Sequence, residues 1–283
     1  MVIRKNLQER LEYAYEPIYV IVQVLMGGPF RRAGPLQDTG EPMDFGEMLG
    51  DAFTYMREGI FDNMNRWLKL ILAILCLGLP FNGYIMRVYR GEKPAPEVEG
   101  WGTLFVDGLK LLVVGIVYAI PLIILWVLIY GPFFLAIASG TMDESALATW
   151  EPNFILMMVF YVVEIVVAVF MPVAAIRFAR TGVFGEAFNF SAIMETIRRI
   201  GWLNYIVAFV LVSIVVSVPV LVLIIGFIII GAVSLVLLKE AGLLVFFALF
   251  ALIILVILAL SPLLGVFQAR YMTRVYDSAG PGR

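Results

Sequence analysis

One carboxylate lies in the middle of an otherwise uncharged apolar run, and it is the first candidate for a functional side chain. The run extends from Phe154 to Ile176, which is 23 residues, and Glu164 is its one charged residue. An ionised carboxylate at mid-membrane depth costs roughly 2.5 kcal/mol or more, so we expect Glu164 to face protein or water, or to be protonated. Its position predicts either transport of an ion or proton, or a structural hydrogen bond to a neighbouring tyrosine or serine.

Three pairs of arginines form the second candidate group, and each pair follows an apolar segment. The pairs are Arg87 and Arg90, Arg177 and Arg180, and Arg270 and Arg274. Arginines three or four residues apart on a helix lie on one face, so both guanidinium groups can reach lipid phosphates or an acidic partner. They also interact favourably with a helix C-terminus. The spacing predicts contacts to lipid or to a partner at the cytoplasmic border, with topology anchoring as the alternative.

The composition excludes several other kinds of chemistry. Histidine is absent and Cys76 is the single cysteine, which removes Ser-His-Asp and Cys-His catalysis and histidine-ligated zinc or haem. The sequence has no Gly-rich phosphate loop and no nucleophile elbow. The net charge of -2, without a basic stripe, argues against a nucleic-acid partner. We therefore expect no catalytic residue, no metal site and no cofactor.

The elements that position these residues are membrane helices. With 62% hydrophobic and 15% charged residues, the chain has too few charges to cover a soluble globule of its size. Backbone groups in hydrocarbon must be paired within their own segment, so the long apolar runs must be helices. We predict an all-α polytopic membrane protein whose partner is the lipid bilayer. Its four long apolar runs are residues 111–142, 154–176, 200–238 and 241–269.

A fifth and shorter apolar segment runs from Leu70 to Met86. A helix of that length reaches only about 25 Å against a hydrocarbon core of roughly 30 Å. We predict that it enters the membrane and returns at Leu79-Pro80, and the alternative is a true crossing. The run at 200–238 has a similar ambiguity, because Pro219 near its centre predicts either one long helix that projects past the bilayer or two short limbs.

The basic residues set the orientation. They lie in the loops that follow Met86 and Ile176 and at the C-terminus, whereas residues 139–153 contain none. Because cytoplasmic loops carry an excess of lysine and arginine, we expect the basic loops and the C-terminus in the cytoplasm of a multi-pass cell-membrane protein. Four spans keep the N-terminal region on that side only if the short segment does not cross. Five spans with an external N-terminus is the alternative.

The N-terminal part of the chain divides into two regions. Residues 1–42 are predicted to be a poorly ordered extension, and the regular pattern begins at Met43, which is an alternative start. Residues 43–66 are predicted to be one amphipathic helix, because apolar residues recur at spacings of three and four with acidic residues on the other side. An acidic face predicts packing along the protein's own rim or docking of a protein partner on residues 45–64.

The membrane domain, residues 67–276, shows signs of an internal repeat and is followed by a short tail, residues 277–283. Each arginine pair is preceded by a proline: Pro80, Pro172 and Pro262. Three segments of mixed polarity also start alike: Phe45-Gly46-Glu47, Trp101-Gly102-Thr103 and Phe184-Gly185-Glu186. We interpret these as one repeated unit, which consists of an interfacial helix, then one membrane segment or a pair of them, and then an arginine pair. Ordinary helix ends with proline and arginine are the alternative.

Several motifs together resemble an uncharacterised, mainly archaeal family of polytopic membrane proteins, which is known only as a domain of unknown function. These motifs are Met43-Asp44-Phe45-Gly46-Glu47, the segment from Gly83 to Gly91, and Trp101-Gly102 with Phe105, Asp107, Gly108, Leu109 and Lys110. The resemblance covers roughly residues 43–276. It implies the helical membrane architecture and a start near Met43, and it implies no activity, cofactor or catalytic residue.

Three functions from different classes fit these observations. The first is a small transporter or channel that uses Glu164. The second is a non-catalytic scaffold or assembly partner, which docks another protein on the amphipathic segment. The third is an enzyme that acts on lipid, which only the arginine clusters favour. The sequence therefore predicts an integral membrane protein, with transport and scaffolding nearly equal and an enzyme disfavoured.

Overall fold

The computed structural model describes residues 43–280, and within that range all regular secondary structure is helical. The expected all-α class is therefore confirmed. In chain order the α-helices are α1 (Phe45–Met56), α2 (Met64–Leu75), α3 (Leu79–Tyr89), α4 (Trp101–Ala138), α5 (Glu144–Thr149), α6 (Phe154–Thr181), α7 (Phe190–Ile200), α8 (Trp202–Leu238) and α9 (Glu240–Asp277). The predicted N-terminal extension, residues 1–42, lies outside the described residues. The predicted tail overlaps α9 at Asp277.

Four helices in the described range are long and apolar enough to cross a membrane, namely α4, α6, α8 and α9. The prediction of four long spans is therefore confirmed. Helix α8 is continuous over 37 residues through Pro219, so the alternative of two short limbs is wrong. A proline removes one backbone donor, and in membrane helices local adjustments and neighbouring groups satisfy the freed carbonyl. At 1.5 Å per residue α8 is about 55 Å long, longer than the hydrocarbon core.

The short apolar segment does not form one helix. Helix α2 has 12 residues and α3 has 11, so they are about 18 and 17 Å long and neither can cross a membrane alone. The chain reverses at Leu77 and Gly78, which have φ angles of 59° and 70°. The predicted break at Leu79-Pro80 is wrong, because Pro80 lies in the first turn of α3, where its missing N–H is not needed.

The predicted amphipathic helix over residues 43–66 is interrupted. Helix α1 ends at Met56, and the chain continues as a π-helical turn, Arg57–Phe61. Asn63 then caps α2, because its Oδ1 accepts a hydrogen bond from the Arg66 backbone N–H at 3.1 Å. Asn is a favoured residue at this position, since its side chain satisfies a free donor of the first turn. The segment is therefore an α-helix, a π turn and the start of α2.

Helix α1 packs antiparallel to the C-terminal half of α9. Its side chains Leu49, Ala52 and Tyr55 are buried in the core. The predicted packing of its acidic face along the protein's own rim agrees with Asp51, whose side chain is 7% exposed. Acidic residues on this helix face arginines of α9, so both faces of α1 make contacts within the chain.

The core lies at one end of the long helices. Buried side chains come from α1, α2, α3, the starts of α4 and α8, the ends of α6 and α9, and α7. The α3–α4 contact is especially close, because a Cβ on Gly108 would lie 1.7 Å from the Leu79 carbonyl oxygen. By contrast, none of the most apolar stretch of α6 or of α9 is buried within the chain. The remaining length of the spans therefore presents apolar side chains outward, as lipid requires.

Candidate functional site at the polar end of the helices

Glu164 lies on the exposed surface of α6. It makes no hydrogen bond or ion pair with any residue of the range 43–280. Tyr161 and Ile165 beside it are also exposed, by 48% and 63%. The expected bond to a tyrosine or serine is therefore not made within the described part of this chain. Arg177 follows 13 residues later on the same helix, about 20 Å away along the axis, so the structure does not bring the two candidate groups together.

Arg270 is the most enclosed of the six candidate arginines. Its Nε lies 2.7 Å from Asp51 Oδ2, and the two side chains are 6% and 7% exposed. Its guanidinium carbon also lies 4.8 Å from the centroid of the Tyr55 ring, within the range of a cation–π contact. On the other oxygen of Asp51, Lys93 Nζ is at 3.0 Å. Arg270 and Lys93 together therefore satisfy a buried carboxylate.

Electrostatics at Asp51 follow from these contacts. Burial raises the pKa of the Asp51 carboxyl, but the hydrogen bonds from Arg270 and Lys93 outweigh it and the net pKa is below its usual value. A carboxylate that accepts charged hydrogen bonds is held in its ionised form. Asp51 is therefore a structural anion at the polar end of the helices.

Arg180 and Arg90 also have acceptors within the chain. Arg180 Nη2 donates to both carboxylate oxygens of Asp277 at 2.7 and 2.9 Å, and its Nε donates to the Tyr89 carbonyl at 2.7 Å. Arg90 Nη2 lies 2.7 Å from Asp107 Oδ2. Hydrogen bonds between charged groups are shorter and stronger than those between neutral groups. These two arginines therefore connect α3, α4, α6 and α9 at one end.

Arg87 binds the backbone that leads into α4. Its Nη1 donates to the Glu97 carbonyl at 3.0 Å, and its Nη2 donates to the Glu99 carbonyl at 2.9 Å and to Thr103 Oγ1 at 3.1 Å. An arginine with several fixed donors suits this role, because one planar group can satisfy several acceptors. Arg87 therefore holds the loop between α3 and α4 against α3.

Arg177 and Arg274 each contact a glutamate. Arg177 Nε donates to Glu186 Oε2 at 2.6 Å, and this hydrogen bond lowers the pKa of the Glu186 carboxyl. Arg274 Nη2 lies 3.5 Å from Glu47 Oε1. All six candidate arginines thus have acceptors within the chain. Contacts of these arginines to lipid or to a partner stay a prediction.

Three of these contacts follow one pattern. In each, an arginine near the end of one proposed repeat unit meets the third residue of the start of another unit. The contacts are Arg87 with Thr103, Arg177 with Glu186, and Arg274 with Glu47. The last of them joins the end of the chain to the first described helix. The aromatic-Gly-x starts were visible in the sequence, but their arginine partners were not.

Sequence reasoning also missed the acidic residues of this end as site residues. Asp51, Asp107 and Glu97 each pair with a basic side chain from elsewhere in the chain. Arg66 is the partner of Glu97 and lies in α2. Within residues 43–280 no three metal-ligating side chains lie close enough together to hold a metal ion. The arrangement can link helices and neutralise charge.

Comparison with known proteins gives one match. No curated protein and no solved structure matches the chain. A family model described as "Protein of unknown function (DUF4013)" matches residues 68–230, which is more than half of the chain. The match includes Glu164 and the arginines of α3 and α6, and it is shorter than the expected coverage of residues 43–276. The chain belongs to this DUF4013 family of unknown function.

Proposed function

We propose that this protein is a membrane-embedded assembly partner, which binds a second transmembrane segment along the exposed face of α6. One observation carries the proposal: Glu164 is exposed near the middle of a membrane-spanning helix and has no partner among residues 43–280. A carboxylate in contact with lipid alone is costly, whether it is ionised or neutral with its hydrogen-bonding groups unsatisfied. A partner that supplies the missing group removes this cost.

The chemistry of Glu164 defines the partner. A helix that brings a hydrogen-bond donor or a cationic side chain to mid-membrane depth would pair with the carboxylate, because polar side chains hydrogen-bond across helices in membranes. Tyr161 is three residues earlier on the same exposed face and adds a hydroxyl group to the surface. The proposed contact surface is therefore apolar, with one carboxyl group and one phenol.

Transport is the second candidate, and Glu164 also motivates it. Intramembrane ionisable residues commonly mark ion or proton paths. Because Glu164 is exposed on the outside of this chain, a path that uses it requires a second chain to enclose the carboxylate. Assembly is thus a precondition for transport through Glu164, and we place assembly first.

Docking on residues 45–64 is a weaker form of the scaffold proposal. Glu47 and Asp51 of this segment already contact Arg274 and Arg270. Glu58 is exposed and remains for an external partner. The contacts that α1 makes within the chain therefore favour α6 as the main binding surface.

We also propose that the polar end and the C-terminus lie in the cytoplasm of the cell membrane. Helices α4 and α6 are joined by residues 139–153 at the end opposite to their arginine contacts. That connection contains no lysine or arginine. The charge difference between the two ends supports this orientation by the positive-inside rule.

The test compares E164Q and E164L with wild type in native membranes, by cross-linking and by co-purification of the full chain in a mild detergent. We expect E164L to lose the cross-linked species and E164Q to keep part of it, because glutamine still hydrogen-bonds and leucine does not. V162L is the matched control, since Val162 is exposed on the same helix and the change adds no polar group. Unchanged complexes in both Glu164 variants would refute the proposal. Flux measured on the same variants tests transport separately.

A further inference from the structure

A cavity of about 180 Å³ lies between the end of α6, α7 and the end of α9. Its polar lining comes from Arg177 of α6, from Glu195, Thr196 and Arg199 of α7, and from Tyr276 of α9. At about 30 Å³ per water molecule, this volume holds a small polyatomic ion and part of what it is attached to. The cavity is separate from the Glu164 surface.

Three residues that line this cavity carry hydrogen-bond donors without an acceptor among the described residues. Arg177 directs Nε and Nη2 to the same oxygen of Glu186, at 2.6 and 2.5 Å, and its Nη1 has no acceptor among the described residues. Arg199 directs Nε to Glu195 at 3.2 Å, and its two terminal nitrogens have no acceptor in the same range. The Tyr276 hydroxyl likewise has no partner there. Donors from three helices are therefore available to one bound acceptor.

The local charge favours an anion. Glu195 lines the cavity, but it is shared between Arg199 at 3.2 Å and Arg198 at 3.5 Å. Glu186 neutralises Arg177. The guanidinium groups of Arg177, Arg198 and Arg199 against two carboxylates leave one positive charge, and Arg177 and Arg199 line the cavity. Phosphate oxygens are suited to such arginine donors, which bind them in a bidentate fashion.

Helix α7 also has the features of a helix at the membrane surface. Its side chains Ile193 and Ile197 are buried, whereas Arg198 is exposed on the opposite side. Exposed aromatic residues flank it, with Phe190 at its start and Trp202 just after its end. Basic amphipathic helices bind anionic lipid, and tryptophan is enriched at headgroup depth. These features indicate that the cavity lies at the level of lipid phosphates.

We propose that this cavity binds a phosphate group at the membrane interface, held by Arg199, Arg177 and Tyr276. The group comes either from the headgroup of an anionic phospholipid or from a free phosphate. Arg199 supplies its two terminal nitrogens, Arg177 supplies Nη1, and the Tyr276 hydroxyl donates a hydrogen bond. This site goes beyond the proposed assembly function and does not depend on Glu164.

The test measures thermal unfolding of the purified full chain in detergent during titration with phosphatidylglycerol, phosphatidylcholine or inorganic phosphate at constant ionic strength. We expect saturable stabilisation by phosphatidylglycerol or by inorganic phosphate, and none by phosphatidylcholine at the same concentration. Stabilisation by phosphatidylglycerol that inorganic phosphate does not compete away identifies the headgroup as the source. Stabilisation by inorganic phosphate alone identifies the free ion. No difference among the three additives would overturn the proposal.

Two neighbouring arginines provide a matched pair of variants. Arg198 and Arg199 both contact Glu195, but of the two only Arg199 lines the cavity. We expect R199Q to weaken phosphate binding about tenfold or more, since a charge-assisted hydrogen bond is lost. R198Q removes one positive charge but no lining donor, so it should weaken binding much less. Equal weakening by both variants would mean general surface attraction and would refute the site. Should R199Q fail to fold, Y276F removes one donor without a change of charge, and it should weaken binding less than tenfold.

Discussion

Arg270 Nε lies 2.7 Å from Asp51 Oδ2, although 219 residues separate the two in sequence. This ion pair joins the first described helix to the last and is almost fully enclosed. It is joined by a second α1–α9 pair, between Glu47 and Arg274. The polar end of the helices is therefore closed by contacts between the two ends of the described chain.

Replacing Asp51 by asparagine should destabilise the protein strongly. The change leaves the Arg270 charge buried without its counterion, and breaking one side of a buried pair costs about 3–5 kcal/mol. Thermal or denaturant unfolding of the full chain in detergent measures the effect. The control is E58Q on the exposed surface nearby, which should change the free energy of unfolding by at most about 0.5 kcal/mol. An equal loss in D51N and E58Q would contradict the assigned role of Asp51.

Stability should fall at acidic pH through Asp51. Its pKa in the folded protein is below the ordinary value of 3.8, so the unfolded state binds a proton first as the pH decreases. The contribution of this carboxylate is therefore complete above about pH 4 and is lost as the pH falls through the lower folded pKa. Unfolding temperatures measured between pH 3 and pH 7 should decrease less steeply in D51N than in wild type. Parallel pH profiles for the two proteins would refute this origin of the acid sensitivity.

Replacing Gly108 by alanine should separate α3 from α4. A Cβ at this position would lie 1.7 Å from the Leu79 carbonyl oxygen, and because that atom is backbone the helices must move apart. We expect a loss of about 1–3 kcal/mol in the free energy of unfolding. Gly226 in α8 is the matched helical control, since its added Cβ meets nothing within 4 Å. G226A should be neutral or slightly stabilising, because alanine favours helix. A stable G108A variant would contradict the close α3–α4 packing.

Cysteine labelling tests the orientation of the spans. Cys76 is the single cysteine, so C76S gives a background into which one cysteine at a time can be introduced. Ser145 in α5 lies before the start of α6, Thr181 is the last residue of α6, and both are exposed. In intact cells a membrane-impermeant maleimide should label S145C, and it should label T181C only after permeabilisation. Labelling of both positions from one side would refute the four-span arrangement.

The sequence predicted the long spans well, because the criterion for them is local. Hydrocarbon requires each segment to satisfy its own backbone, so length and hydropathy alone located α4, α6, α8 and α9. It predicted the short segment less well. Pro80 marked a break in the pattern, but proline also fits the first turn of a helix, and the reversal occurs at Leu77 and Gly78. A proline indicates that a helix ends nearby, but it does not show whether the end lies before or after the proline.

The acceptors of the arginines could not have been predicted. Arg270 and Asp51 are in contact although most of the chain separates them in sequence. Nothing in the local pattern around either residue indicates the other. The amphipathic pattern of α1 left open whether its acidic face packs on the protein's own rim or docks a partner, because periodicity shows which residues share a face and does not show what covers it. The outward direction of Glu164 could not be predicted for the same reason, because the sequence of one helix does not show which of its sides other helices cover.

The sequence by itself determined that this is a helical membrane protein with four long spans and with its basic residues gathered in the loops between particular spans. These properties depend on transfer of side chains and backbone between water and lipid, which acts residue by residue along the chain. Only the tertiary structure decided that the candidate arginines bind acceptors of the same chain, that Glu164 faces outward, and that a cavity with unused donors forms beside α7. These depend on which surfaces of distant helices meet, and that is set by packing among segments that local sequence does not relate.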